Sequence, residues 1–165
     1  MTVSVLEHKL ATPIPAAKLF KAIVTDGHSV LPKTLPQVFK NFEILEGNGG
    51  PGTIRKITYA EGSGLKYVRD RIDKIDPQNF VYHMTTLGGE PWPETLDKVC
   101  YELKIEASPD GGSVYSGVMK LYSKGNAKIP DETIKAEEGK TLGIIKAMEQ
   151  SILANPEACE LNVQN

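Results

Sequence analysis

The chain has 165 residues, with 19 lysines and arginines against 21 aspartates and glutamates, for a net charge of −2. That length suits one domain able to bury roughly two-thirds of its unfolded surface. The near-neutral balance excludes the basic footprint of a nucleic-acid binder, and 40% hydrophobic residues exclude a disordered chain.

No run approaches the ~18 consecutive apolar residues of a membrane span. The opening segment carries Glu7, His8 and Lys9 where a signal peptide needs an apolar core. Cys100 and Cys159 lack metal-ligand spacing, so a reduced, cytoplasmic setting is expected. Cys159 falls in a polar end segment, 156–165, where an exposed thiol is expected.

Thr2 to Ala11 reads as an opening strand that Pro13 and Pro15 stop, and Pro15 suits the first turn of a helix. Ala16, Leu19, Phe20, Ile23 and Val24 recur at helical spacing. Gly27 ends that short helix, and Ser29 to Thr34 forms a second one before Pro36. From Val38 the pattern turns to strands. The clearest is Asp97–Ala107, where Val99, Tyr101, Leu103, Ile105 and Ala107 alternate with Lys98, Cys100, Glu102, Lys104 and Glu106.

Further strands are expected at Phe39–Glu46, Thr53–Tyr59, Leu65–Ile75, Asn79–Leu87 and Ser113–Tyr122, separated by Gly-, Pro- and Asp-rich turns. Pro130 and Asp131 open a long helix whose apolar stripe of Ile134, Leu142, Ile145, Met148 and Ile152 runs to Pro156. Its first half, with Lys135, Glu137, Glu138, Gly139 and Lys140, has few apolar anchors, so it is expected to cover something other than a dry core. The sum is one α+β domain over 1–165: strand, two short helices, six strands, long helix.

Gly47-Asn48-Gly49-Gly50-Pro51-Gly52 satisfies G-x-G-x-x-G at Gly47, Gly49 and Gly52. A dinucleotide site requires a helix next, and Thr53–Tyr59 reads as strand. A phosphate loop requires Lys and Ser/Thr after the last glycine, where Thr53 and Ile54 stand. A hairpin turn with positive φ is the expected role.

Strand parity places Val99, Tyr101 and Leu103 inward. By the same test Ile57 and Tyr59 share a face with Arg55, Tyr67 with Leu65 and Arg69, and Tyr82 with Phe80 and Met84. Tyr115, Gly117, Met119 and Leu121 align likewise. Inward tyrosines with methionine make a wall suited to flat aromatic guests carrying a few hydroxyls. His8, His28 and His83 lie on different elements without zinc-site spacing, and no nucleophile motif occurs, so no catalytic residue and no metal site is assigned.

In full context, Glu46 through Ile54 resembles the glycine-rich loop of the plant pathogenesis-related class-ten proteins, the birch-pollen-allergen family. The likeness extends over Ile14-Pro15-Ala16, Leu19-Phe20-Lys21-Ala22, Val30-Leu31-Pro32-Lys33, Lys66-Tyr67-Val68, Ser108–Ser113 and Lys124-Gly125. The resemblance implies a seven-stranded antiparallel sheet curved around the C-terminal helix, two short supporting helices (a helix-grip fold) and a large hydrophobic cavity. It further implies a monomeric binder of amphipathic plant metabolites such as flavonoids, cytokinins, sterol-like molecules or alkaloids. No cofactor, no membrane and no nucleic acid as main partner belong to that picture.

Family ligand contacts map onto Ile23, Leu31, Phe39, Arg55, Ile57, Tyr59, Tyr67, Tyr82, Met84, Tyr101 and Lys140, with Gly47, Gly49, Gly50 and Gly52 as the loop. Met84 departs from a common tyrosine. Lys140 replaces an apolar residue of some relatives, which either favours an anionic group there or leaves the side chain snorkelling to solvent. Some relatives condense an amine with an aldehyde through an inward strand lysine, which the sixth strand lacks here; an enzyme or enzyme-assisting protein that uses the same cavity for a condensation or isomerisation is the alternative reading. A ribonuclease role, with Glu149 as the matching helix glutamate, is disfavoured by the net charge. Ser63-Gly64-Leu65 begins like the gate of the abscisic acid receptors, but Lys66-Tyr67 follows.

Overall fold

The computed structural model describes residues 2–154. The expected helix stop at Pro156, the Cys159 thiol and the polar end segment lie outside the described residues. Strand β1 (Val3–Thr12) leads into helix α1 (Ala16–Phe20), a wider turn at Lys21–Thr25, and helix α2 (Gly27–Thr34). Strands β2 (Phe39–Glu46), β3 (Ile54–Tyr59), β4 (Tyr67–Asp76), β5 (Val81–Glu90), β6 (Leu96–Ala107) and β7 (Ser113–Ser123) follow, then helix α3 (Asp131–Ala154). The strands form one antiparallel sheet in the order β1-β7-β6-β5-β4-β3-β2. Each of β2 to β6 pairs with its successor, as short turns allow, and β1 closes on β7.

The first helix differs from its sequence pattern. It runs regularly only to Phe20, after which the Asp26 N–H donates to the Lys21 carbonyl at 2.8 Å, a five-residue span that widens the turn. Gly27 opens α2 instead of closing α1. The Asp26 carbonyl collects the N–H groups of Ser29 and Val30 at 3.0 and 2.8 Å, so the chain changes direction there without losing its hydrogen bonds.

Alternation on β7 is strict: Ser113, Tyr115, Gly117, Met119, Leu121 and Ser123 are buried, and the residues between them are half-exposed. β6 follows the same odd-numbered parity through Val99, Tyr101, Leu103 and Ile105. On β4 the inward set is even-numbered: Val68, Asp70 and Ile72. Register explains it, because Ile57 faces Val68 and Arg55 faces Asp70, and residues directly opposite share a face. The expected inward Tyr67 therefore points outward, opposite Thr58. A charged residue at an inward position broke the apolar alternation on which that parity rested.

The core lies between this inner face and the helices. α1 contributes Leu19 and Phe20, and α3 contributes Ile145, Met148 and Ile152. Every buried residue of α3 lies in its second half, and its first half packs only through half-buried side chains. The β4–β5 turn carries Phe80 at φ 56°, and its ring meets Phe20 at 5.7 Å between centroids, so packing on α1 offsets the strained backbone.

Candidate binding site

A pocket of about 170 Å³ lies between the sheet and the first half of α3, with the α1–α2 bend as its end wall. It is narrower than the large cavity that the resemblance implies. Ten of the eleven mapped residues line it: Ile23, Leu31, Phe39, Arg55, Ile57, Tyr59, Tyr82, Met84, Tyr101 and Lys140. Tyr67 does not; on the outer face its ring lies 4.8 Å from the Lys56 ammonium. A solvent-open groove of about 740 Å³ beside Lys40, Leu65, Lys66 and Glu90 shares Tyr59 with the pocket as a lining residue.

Sequence reasoning missed the most consequential wall residue, Asp70. Its side chain is 1% exposed and receives two hydrogen bonds from Arg55, Nε to Oδ1 at 2.9 Å and Nη2 to Oδ2 at 2.8 Å. The same Nη2 donates to the Tyr82 hydroxyl at 3.1 Å, and the Phe42 ring lies 5.5 Å from the guanidinium carbon. Burial works against the Arg55 charge, but the Asp70 hydrogen bond and charge outweigh it and hold the pKa above its ordinary value. The signal available in the sequence was the spacing of Val68, Asp70 and Ile72.

Lys140 lines the pocket with its ammonium 3.3 Å from Glu137, and neither side chain is more than 28% exposed. The lysine is therefore neither snorkelling freely nor an unopposed anion site: its neighbour on the same helix turn offsets its charge.

A third polar group spans β1, β6 and β7. The Tyr101 hydroxyl lies 2.8 Å from His8 Nε2 and 2.6 Å from the Tyr115 hydroxyl. The His8 ring stacks on both tyrosines at centroid distances of 5.9 Å. Burial lowers the His8 pKa, with Glu138 pulling weakly the other way. The sequence assigns His8 to no site; its even-numbered place on β1, beside half-buried Leu6 and Leu10, was the signal for an inward ring.

Burial raises the phenol pKa of Tyr59, Tyr101 and Tyr115, and pushes that of Tyr82 up to about 12 against the pull of Arg55. An unfolded tyrosine ionises near pH 10. These groups thus contribute stability that is intact below about pH 10 and declines as pH rises toward about 12. In an alkaline titration, phenolate absorbance from these four residues is expected to appear together with loss of the far-ultraviolet dichroism, not before it.

The glycine loop joins β2 to β3 and does not line the pocket. Gly47, Gly49 and Gly52 have φ of 97°, 100° and 90°, and a side chain at Gly47 would strike Thr53, which is buried. The Thr53 hydroxyl accepts the Gly49 N–H at 2.9 Å. A strand follows, so the loop is a hairpin turn. No helix among the described residues is long and apolar enough to cross a membrane.

The chain is similar over most of its length to known proteins. The major pollen allergen Aln g 1 of Alnus glutinosa is 46% identical over 156 residues, 93% of this chain and 98% of that one. The major allergen Pru av 1 of Prunus avium is 42% identical over 158 residues, 96% and 99% of the respective chains. Among solved structures, Ara h 8.0201 superposes with a TM-score of 0.85 at 41% identity, covering 93% of this chain and all of the other. Norcoclaurine synthase from Thalictrum flavum shares the fold at a TM-score of 0.69 and 19% identity, over 93% of this chain and 88% of its own. Residues 1–155 match the sequence profile of the Pathogenesis-related protein Bet v 1 family, and the chain belongs to that family.

Proposed function

We propose that this protein is a defence-related carrier or store for amphipathic small molecules, chiefly flat aromatic compounds with a few oxygen substituents, held between the sheet and α3. The observation that carries this reading is the composition of the pocket wall. Apolar Ile57, Val99 and Leu103 and the polarisable Met84 and Met119 alternate with hydroxyls of Tyr59, Tyr82, Tyr101 and Tyr115. Both ion pairs in the wall are internally neutralised, Arg55 by Asp70 and Lys140 by Glu137, which favours neutral guests.

A space of about 170 Å³ is smaller than the roughly 300–1,000 Å³ of most ligand pockets. A guest of flavonoid size therefore requires the wall to yield. The first half of α3 is the part able to do so, because Glu137, Lys140 and Thr141 line the pocket there and none of them is a fully buried anchor.

Titration with a panel of flavonoids, cytokinins and alkaloids is expected to give micromolar binders, with hydrogen exchange slowed in residues 131–144 of the complex. No binding tighter than millimolar across the panel overturns the reading. Native mass spectrometry of protein from its source tissue identifies the natural guest directly.

A further inference from the structure

Counting protons in the His8–Tyr101–Tyr115 group gives a result that the pocket's shape does not. Burial keeps His8 neutral, so its ring carries one N–H. The two phenols, held protonated by the same burial, add one O–H each. Three donor protons thus meet two internal contacts, His8 to Tyr101 and Tyr101 to Tyr115. One proton is left uncommitted.

Its place follows from His8 Nδ1, which is buried and has no hydrogen-bond partner. A proton there would be a desolvated donor with no acceptor, a worse state than a bare lone pair on the same atom. The ring proton therefore sits on Nε2 and is donated to the Tyr101 oxygen. The contact between the tyrosines consumes one hydroxyl proton, and the other hydroxyl keeps its own. Both tyrosines line the pocket. With one or two donors already directed at the Tyr101 oxygen, the remaining O–H is polarised further.

Gly117 completes the arrangement. It lies opposite both His8 and Leu103 in the sheet, and any side chain at this position would occupy the space where the imidazole and the Tyr101 hydroxyl meet.

We propose that His8, Tyr101 and Tyr115 form a specificity-determining donor site that presents one O–H to the pocket and selects guests carrying a carbonyl oxygen at that end. His8 acts as a positioning residue: it fixes the Tyr101 oxygen as an acceptor from the sheet side and leaves the guest the donor. The proposal rests on the reading of this pocket as a guest site. It adds the chemistry of one guest atom on the β6–β7 side, separate from the Arg55–Asp70–Tyr82 group on β3, β4 and β5.

The test compares flavanone with flavan, which share a ring skeleton and differ by one carbonyl, by calorimetry on the full chain. The wild type is expected to favour flavanone by about fivefold, the worth of one hydrogen bond to a neutral donor. In the double variant Tyr101→Phe/Tyr115→Phe the ratio of the two affinities is expected to fall below about twofold. Long-range nitrogen–proton NMR of the labelled wild type, without any variant, is expected to show neutral His8 with its proton on Nε2. Equal affinities in the wild type, or a preference that survives the double substitution, overturn the proposal. So does an Nδ1–H tautomer or an imidazolium at neutral pH. If neither compound binds although the Nε2 tautomer is seen, the pocket is not a guest site for this class and the proposal falls with that reading, not through its own proton count.

Discussion

Asp70→Ala is expected to lower folding stability by about 3–5 kcal/mol, the cost of leaving one member of a buried ion pair without its partner. The carboxylate is 1% exposed and Arg55 only 15%, so after truncation the guanidinium keeps its charge in the pocket wall with the Tyr82 hydroxyl as its remaining polar partner. Asp70→Asn retains an acceptor and is expected to cost less. The informative comparison is Arg55→Met/Asp70→Leu, which removes both charges and is expected to recover most of the loss, since apolar isosteres of a buried pair are often neutral or stabilising. Urea unfolding of the four proteins measures all of this. A loss below about 1 kcal/mol in Asp70→Ala would mean that water reaches Arg55 freely and that the pair belongs to an open surface. The pair also places polar atoms in an otherwise largely apolar wall, and the apolar double variant is accordingly expected to bind hydroxylated guests less well than wild type.

The same pair marks the limit of what the sequence revealed. Strands with one apolar face were readable because period two survives wherever the inward residues are apolar, as on β6 from Val99 to Ile105. Tyr67 was misplaced because β4 puts Asp70 on its inner face, which leaves Val68 and Ile72 too sparse to outweigh Leu65 and Tyr67. Only the pairing of Arg55 with Asp70 across two strands restores the parity, and pairing is a tertiary fact.

The helix break at Gly27 has a similar cause. Glycine reads as a stop, yet here the Asp26 carbonyl takes up the next turn's N–H groups and the helix resumes at once. The weakly anchored start of α3 was legible from composition alone, because a scarcity of apolar residues needs no register to be seen. His8 was legible only in part. Leu6 and Leu10 share its parity, but the exposed Val3 and Val5 on the opposite face obscure the alternation, and its role depends on Tyr101 and Tyr115, which lie 93 and 107 residues away in sequence, and on the missing side chain at Gly117.

Gly117→Ala is expected to destabilise the fold by about 3 kcal/mol, from overpacking of roughly 1–3 kcal/mol plus about 1 kcal/mol for a broken hydrogen bond. The sign is the discriminating feature. Glycine inside a regular element ordinarily costs stability, and replacing it with alanine where the backbone permits gains about 0.4–1 kcal/mol through the unfolded chain. Gly143 supplies that control: it lies in α3 with no atom near the position of an added Cβ, so Gly143→Ala is expected to stabilise by about 0.5–1 kcal/mol. At Gly117 the added methyl would collide with the Tyr101 hydroxyl and the His8 ring, which are held by their mutual hydrogen bond, by the Tyr101–Tyr115 hydroxyl contact and by stacking of His8 on Tyr115. Combining Gly117→Ala with Tyr101→Phe removes the colliding oxygen and is expected to return about half of the loss, a coupling that a double-mutant cycle in urea reads directly. If Gly117→Ala proves neutral or stabilising, the Tyr101 hydroxyl is free to leave that space, and the histidine–tyrosine contact is not a fixed part of the pocket wall.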